Sequence, residues 1–265
     1  MKNLGVIIQP KASDYYAGQL PYEVVNPIGV WHDFEPTSEM QKDHDTDTMA
    51  CVTFSALNIL ETQYYFLTGQ RINFSDRFIA KVSGTTQQGN TCQAVLDAIR
   101  HYGLVLESDY PTPTDFDWNE YYAPIPNEVF GKAILKPING VSPVSYEFGA
   151  TDYAKELKQA PLQMLIEKGN PYHAVEMVSL THQFNSYPPY HEPQKSIYTV
   201  VKIILKGVTM TNTEFVHKAG TQEYGFYVPA TNVEAIKDKA KNFGIDIESP
   251  DGTVDFSKAK DISGL

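Results

Sequence analysis

Two cysteines and seven histidines are the residues of this 265-residue sequence on which nucleophilic chemistry could rest. Cys51 lies in Met49-Ala50-Cys51-Val52-Thr53-Phe54-Ser55-Ala56, among small and apolar neighbours at the expected first turn of a helix. A thiol attacks as thiolate, and both the positive end of a helix and a nearby imidazolium favour that form. Helix N–H groups at the same place would face the oxyanion of an attacked carbonyl. A cysteine in an apolar helix is equally an ordinary core filler, so the histidines decide between the two. His173 opens the apolar run His173-Ala174-Val175-Glu176-Met177-Val178 just after a Gly169-Asn170-Pro171 turn, and a strand end could aim its ring into a cleft. Such a base needs a third group to hold the ring and fix its tautomer. Asn185 stands twelve positions on, beside Phe184 and Tyr187, whose rings would shield it.

The elements that must position these residues follow from periodicity. From Met49 to Gly69, Val52, Ala56, Ile59 and Leu60 share one helical face, and Ala50, Phe54, Leu57 and Phe66 spread the apolar surface around the cylinder. A helix apolar on more than one side is a central, buried one. Thr48 or Asp47 is placed to cap it. A second helix is expected over Thr91–Tyr102, ended by Gly103, with Cys92 on its core side. Residues 104–150, rich in Pro and Tyr, read as loop with short strands, followed by a short helix over Asp152–Lys158. Strands are expected at Pro161–Ile166, His173–Val178 and Ser196–Leu205. A short strand near Tyr22–Val25, a hairpin between Gly207 and Val228, and an amphipathic helix over Asn232–Asn242 complete the reading. Helices come first and strands second, the order of an α+β protein with a helical half and a sheet half, and a ligand cleft belongs between them.

The segment Cys51-Val52-Thr53-Phe54-Ser55-Ala56 resembles the start of the catalytic helix in papain-like cysteine peptidases, commonly C-W-A-F-S-A. Other landmarks follow in that family's order. Gly103-Leu104 with Glu107, Asp109, Tyr110 and Pro111 resembles G-L-x-x-E-x-x-Y-P, and Pro161–Ile166 resembles the strand before the catalytic histidine. His173-Ala174-Val175 resembles H-A-V, and Asn185-Ser186-Tyr187 resembles N-S-W. His173 and Asn185 lie 122 and 134 residues after Cys51, near the roughly 130–150 of papain-type enzymes. The resemblance implies a papain-like two-lobed α+β fold: a helical lobe with a central buried helix, an antiparallel sheet lobe and a C-terminal extension. It divides the chain into an irregular N-terminal extension (1–39), a papain-like domain (40–206) and a hairpin and helix extension (207–265).

By the same resemblance Cys51 is the nucleophile, His173 the general base and acid, Asn185 the residue orienting the imidazole, and Gln41 the glutamine that helps form the oxyanion hole. The implied activity is a thiol hydrolase, a cysteine peptidase acting on a peptide or protein substrate. A cell-wall amidase would use the same triad. A papain-like domain kept as a structural or binding part of a larger assembly, such as a phage virion docked through the C-terminal segment, would keep the same residues. The departures from the family are specific. Ten positions separate Gln41 from Cys51, Val52 replaces the aromatic after the cysteine, Met49 and Ala50 replace the usual glycines, and Tyr187 replaces the tryptophan. No cysteine precedes Cys51 to pair with the Cys92 region, and no inhibitory pro-segment is evident, traits of a remote bacterial or bacteriophage member.

Composition narrows the partners. A formal charge of −11 with no run of Lys or Arg longer than two argues against nucleic acid, whose affinity comes mostly from neutralised phosphates. No apolar run approaches 18 residues, so no membrane span is expected, nor a secretory signal. Synthesis in the cytoplasm with two free thiols, and association with a virion as the alternative, fit these features. No cofactor and no metal are expected. Asp43, Asp45 and Asp47 alternate as in a calcium loop, but the sixth and twelfth positions of that loop, Gly and Glu, are Thr48 and Phe54 here. His182 and His191 read as surface residues, and the acidic stretch Asp43–Thr48 as a solvated loop.

Overall fold

A computed structural model of the chain describes residues 25–136, 142–150, 152–167, 172–206, 215–218 and 224–227. It divides into two compact units, one of residues 1–65 and 71–207, the other of residues 66–70 and 208–265. Among the described residues the first unit begins with a 3-10 turn, His32–Phe34, and the short strands β1 (Lys42–Asp43) and β2 (Thr46–Asp47). Helices α1 (Cys51–Thr68), α2 (Asp76–Val82), α3 (Cys92–Tyr102), α4 (Trp118–Tyr121) and α5 (Asn127–Lys132) follow. Then come β3 (Val144–Phe148), α6 (Tyr153–Glu156), β4 (Leu162–Glu167), β5 (Tyr172–Met177), β6 (His182–Phe184), β7 (His191–Pro193) and β8 (Ile197–Leu205). In the second unit β9 (Phe215–Lys218) pairs antiparallel with β10 (Tyr224–Tyr227). The helix expected over 232–242 lies outside the described residues, as does most of the strand expected at 22–25.

Every residue of α1 from Cys51 to Gln63 is buried, the central helix that its all-round apolar surface requires. Six of those thirteen residues are nevertheless polar or charged, and buried polar groups must be bonded. Three of them fasten the helix to its surroundings. Ser55 Oγ donates back to Cys51 O at 2.8 Å. Gln63 Nε2 donates to Ile203 O at 2.9 Å while its Oε1 accepts from Leu205 N at 3.0 Å. Glu61 accepts the N–H of Phe74 at 2.6 Å. From the sheet, Gln163 Nε2 donates to Val52 O and to Ser55 Oγ, both at 2.8 Å. So the helix that begins at Cys51 is bonded to both β4 and β8.

The six-stranded sheet is antiparallel throughout, in the order β3-β8-β4-β5-β6-β7. Of its four inner strands, β4, β5 and β8 carry the apolar runs expected of strands. One buried cation is held inside it. Lys202 on β8, 2% exposed, reaches Glu147 Oε1 at 2.5 Å, Glu156 Oε2 at 2.7 Å and Gln159 Oε1 at 2.6 Å. On the helical side, Thr91 caps α3 by accepting from Ala94 N at 3.0 Å. Gly103 ends that helix at φ +75°, where a Cβ would stand 2.5 Å from Ile134 O. The stretch 104–150, expected as loop with strands, holds α4 and α5 as well as β3. Asp117 caps α4 by accepting from Glu120 N at 2.8 Å, which is sufficient for a single turn in a segment too short to show periodicity.

Residues ahead of β1 are built into the same core. Trp31 is fully buried, its indole N–H donating to Leu157 O at 2.7 Å and its backbone N–H to Val178 O at 2.8 Å.

Candidate active site

Two chain reversals bring the site together. His173 is the second residue of β5 and pairs with Ile166 of β4, where the β4–β8 register shifts between Leu165 and Ile166. Such an irregularity bends a strand and re-aims its side chains. From β5 the chain turns through Ser179–Thr181 and returns as β6, pairing Glu176 with Phe184. The twelve-residue spacing is therefore the length of one tight return. It places Asn185, the first residue past β6, beside the start of β5. His173 Nε2 and Asn185 Oδ1 stand 2.8 Å apart. With the amide oxygen accepting, the proton sits on Nε2 and Nδ1 is left as the basic nitrogen. The Tyr187 ring lies 5.4 Å from the imidazole, centroid to centroid.

Cys51 is the first residue of α1. The N–H of Ala174, next to His173, and that of Val52 are directed at its sulfur and favour the thiolate. Burial pushes the thiol well above its ordinary value and outweighs both, with the Cys92 thiol and the Asp47 carboxylate adding to the rise. Cys92 is also a free, buried thiol, pushed up to about 12 by burial. Cys51, His173 and Gln41 are 0% exposed and Asn185 is 1% exposed. The four residues singled out in the sequence thus lie in the interior.

The segment before α1 is not a solvated loop throughout. His44 and Asp45 are exposed, but Gln41 and Thr48 are buried. Asp43 turns outward, where His44 Nδ1 lies 2.8 Å from its carboxylate and 3.5 Å from that of Asp115. Among the described residues Asp43, His44 and Asp115 bring three ligand atoms within 4.8 Å of one another, at positions open to water. Asp47 turns inward. Its Oδ1 accepts from Met49 N at 2.9 Å and from Gln41 Nε2 at 3.0 Å. Its Oδ2 accepts from the Tyr187 hydroxyl at 2.5 Å. That hydroxyl in turn accepts from Gln41 Nε2 at 2.7 Å, and Gln41 Oε1 accepts from Ser186 Oγ at 2.7 Å.

Asp47 therefore serves the turn before the helix rather than the helix itself. Met49 stands there at φ +57°, a left-handed conformation that a side chain disfavours. Asp47 and the hydroxyl of Tyr187 are the members of the site that sequence reasoning missed. The only signal was Tyr187 in place of the family's tryptophan, since an indole has no hydroxyl to offer.

No family model matches the sequence, and no curated protein matches it. Solved structures do match. The ragweed pollen allergen Amb a 11 cysteine protease in its proform is 16% identical, with a TM-score of 0.50 over 73% of this chain and 69% of that one. Digestive procathepsin L 3 of the Tenebrio molitor larval midgut is 15% identical, with a TM-score of 0.49 over 77% and 74%. A cysteine protease of Carica candamarcensis, solved in complex with E-64, is 15% identical, with a TM-score of 0.47 over 67% and 98%. At these identities the likeness is one of fold. The chain has an α+β fold of the papain-like kind, helices followed by an antiparallel sheet. Among the described residues no helix is long and apolar enough to cross a membrane.

Proposed function

We propose that the protein is a papain-like thiol hydrolase, a cysteine peptidase acting on peptide or protein substrates, with its working domain at residues 40–206. The observation that carries this reading is the 2.8 Å contact between His173 Nε2 and Asn185 Oδ1 in the interior that also holds Cys51 at the head of α1. Asn185 keeps the proton on Nε2, so Nδ1 takes the thiol proton as Cys51 Sγ adds to the substrate carbonyl. The oxyanion forms at the α1 N-terminus, where backbone N–H groups and the Gln41 carboxamide are its donors. His173 then protonates the leaving amine, and a thioester remains on Cys51. Water, deprotonated by the same imidazole, hydrolyses it and restores the thiol.

A second reading has its own observation. Cys51, His173 and Gln41 are fully buried, as they would be in a papain-like module kept as a structural or binding component of a larger assembly. A peptidyl vinyl sulfone library with intact-mass detection separates the two. A peptidase forms an adduct mapped to Cys51 and loses it in His173→Ala. A binding module forms none. Cleavage of muropeptides in place of protein peptides would make the enzyme a cell-wall amidase.

A further inference from the structure

Both hydrogens of the Gln41 carboxamide are committed. One faces Asp47 Oδ1 at 3.0 Å and the other the Tyr187 hydroxyl at 2.7 Å. An amide nitrogen has two hydrogens and no more, so neither remains for a reacting oxygen. Tyr187 closes the ring by donating to Asp47 Oδ2 at 2.5 Å. The other end of the amide is fixed as well, by Ser186 Oγ on its Oε1 and by the backbone bond from Gln41 N to Ser186 O at 3.2 Å. Asp47 reaches the nucleophile's own segment too, since its Oδ1 holds Met49 N, two residues before Cys51. Asp47 is near enough to Cys51 for its charge to oppose the thiolate, and Tyr187 is near enough to feel a charge on Cys51.

We propose that Asp47 is a positioning residue that holds the site in a resting state, drawing the Gln41 carboxamide and the Tyr187 hydroxyl into a closed ring so that Gln41 cannot donate to an oxyanion on Cys51 until the ring opens. This rests on the thiol hydrolase reading, in which Gln41 is an oxyanion donor. The effect on chemistry is twofold. A carboxylate beside the thiol opposes the thiolate, as any like charge does. A donor already bonded to a carboxylate is worth less to a developing oxyanion than one held free for it. Nothing is covalently changed, and opening requires only that the hydroxyl and amide exchange partners.

Two probes separate these effects. Iodoacetamide alkylates a thiolate by displacement and forms no oxyanion. p-Nitrophenyl acetate acylates it through a tetrahedral oxyanion. Tyr187→Phe removes the hydroxyl, frees one Gln41 N–H and keeps the ring against His173. Asp47→Asn keeps an oxygen for Met49 N and Gln41 while removing the charge. The reaction of each probe is mapped to Cys51 by peptide mass spectrometry, in the full chain, with unfolding curves run alongside. The ratio of acetylation to alkylation rate should rise about tenfold or more in Tyr187→Phe, since a single oxyanion donor carries about 10²–10³ in rate. In Asp47→Asn alkylation itself should also rise, about tenfold at a fixed pH below the thiol pKa.

An unchanged or lowered ratio in folded Tyr187→Phe, or alkylation in folded Asp47→Asn no faster than in wild type, with Cys51 reactive, would overturn the ring as a restraint and leave the hydrolase reading standing. Cys51 inert to both probes in wild type and both variants would overturn the two together.

Discussion

Gln163 offers a direct measure of how the nucleophile's helix is held. It is fully buried on β4, and its Nε2 donates to Val52 O and Ser55 Oγ, both at 2.8 Å. Ser55 Oγ passes the connection on to Cys51 O. Gln163→Met keeps the shape of the side chain and removes the amide. Two buried neutral hydrogen bonds are lost, about 1–1.5 kcal/mol each. Against this, Gln163 Oε1 is itself buried without a hydrogen-bond partner, and removing it returns about 1 kcal/mol. The net loss is about 1–2 kcal/mol. Gln163→Glu is nearly identical in volume but sets a carboxylate oxygen against the Val52 carbonyl. Ser55 could donate to it only by releasing Cys51 O. That variant should lose about 3–5 kcal/mol at pH 7, and recover part of it at pH 5 as the carboxyl gains a proton. Urea unfolding followed by circular dichroism gives the midpoint and slope for each, and an unchanged slope assigns the difference to the folded state. A Gln163→Glu protein as stable at pH 7 as wild type would refute the account of how α1 is anchored.

Three further outcomes follow from the same interior. Lys202→Met leaves Glu147 and Glu156 without the ammonium that joins them and should cost about 3–5 kcal/mol; adding Glu147→Gln should restore part of the loss, and a double variant no better than the single would contradict the pairing. Burial holds the carboxyls of Glu61, Asp76 and Glu176 well above their usual range, with Glu35 pushed up to about 8 by burial and by the charge of Asp33. The folded state therefore holds protons that the unfolded chain has released, and stability falls as pH climbs from about 4.5 toward 8. Glu176→Gln should gain on wild type in melting temperature over that range, whereas a pH-independent difference would refute the assignment. Asn185→Ala frees the His173 ring and should slow acetylation of Cys51 by p-nitrophenyl acetate about 10–100-fold with little change in melting temperature.

The parts of this fold that could be read from sequence are those that repeat a period or occupy one full element. The helix begun at Cys51 was legible because its apolar positions wrap the cylinder. β5 and β8 were legible because predominantly apolar runs, each broken by a charged residue, sit between turn residues. Asn185 was legible as a candidate from its place twelve positions after His173 beside Phe184 and Tyr187, whereas the short strand β6 that returns it to the start of β5 was not. The one-turn helix at Trp118–Tyr121 and the three-residue strands β6 and β7 are too short for any period to register. Asp47 illustrates a different limit. Its neighbours Asp43 and Asp45 make it look like one more residue of a wet acidic loop. Its partner Tyr187 lies 140 positions away, and only the packing of the β1–β2 hairpin against the segment after β6 brings them together. The polar residues inside α1 show the same limit. Glu61 and Gln63 have the composition of a surface, yet each answers a backbone group that only the folded chain presents.

Whether Cys51 and His173 work as a nucleophile and its base is decided by the pH dependence of iodoacetamide alkylation. Rates are mapped to Cys51 and Cys92 in wild type and in His173→Ala, with Cys92 as the buried thiol that has no assigned role. Cys51 should react faster than Cys92 at neutral pH and below the ordinary thiol pKa of about 8.5, because the imidazole takes its proton, and His173→Ala should remove the advantage while leaving Cys92 unchanged. Cys51 reacting no faster than Cys92, or equally fast with and without the His173 ring, would contradict it.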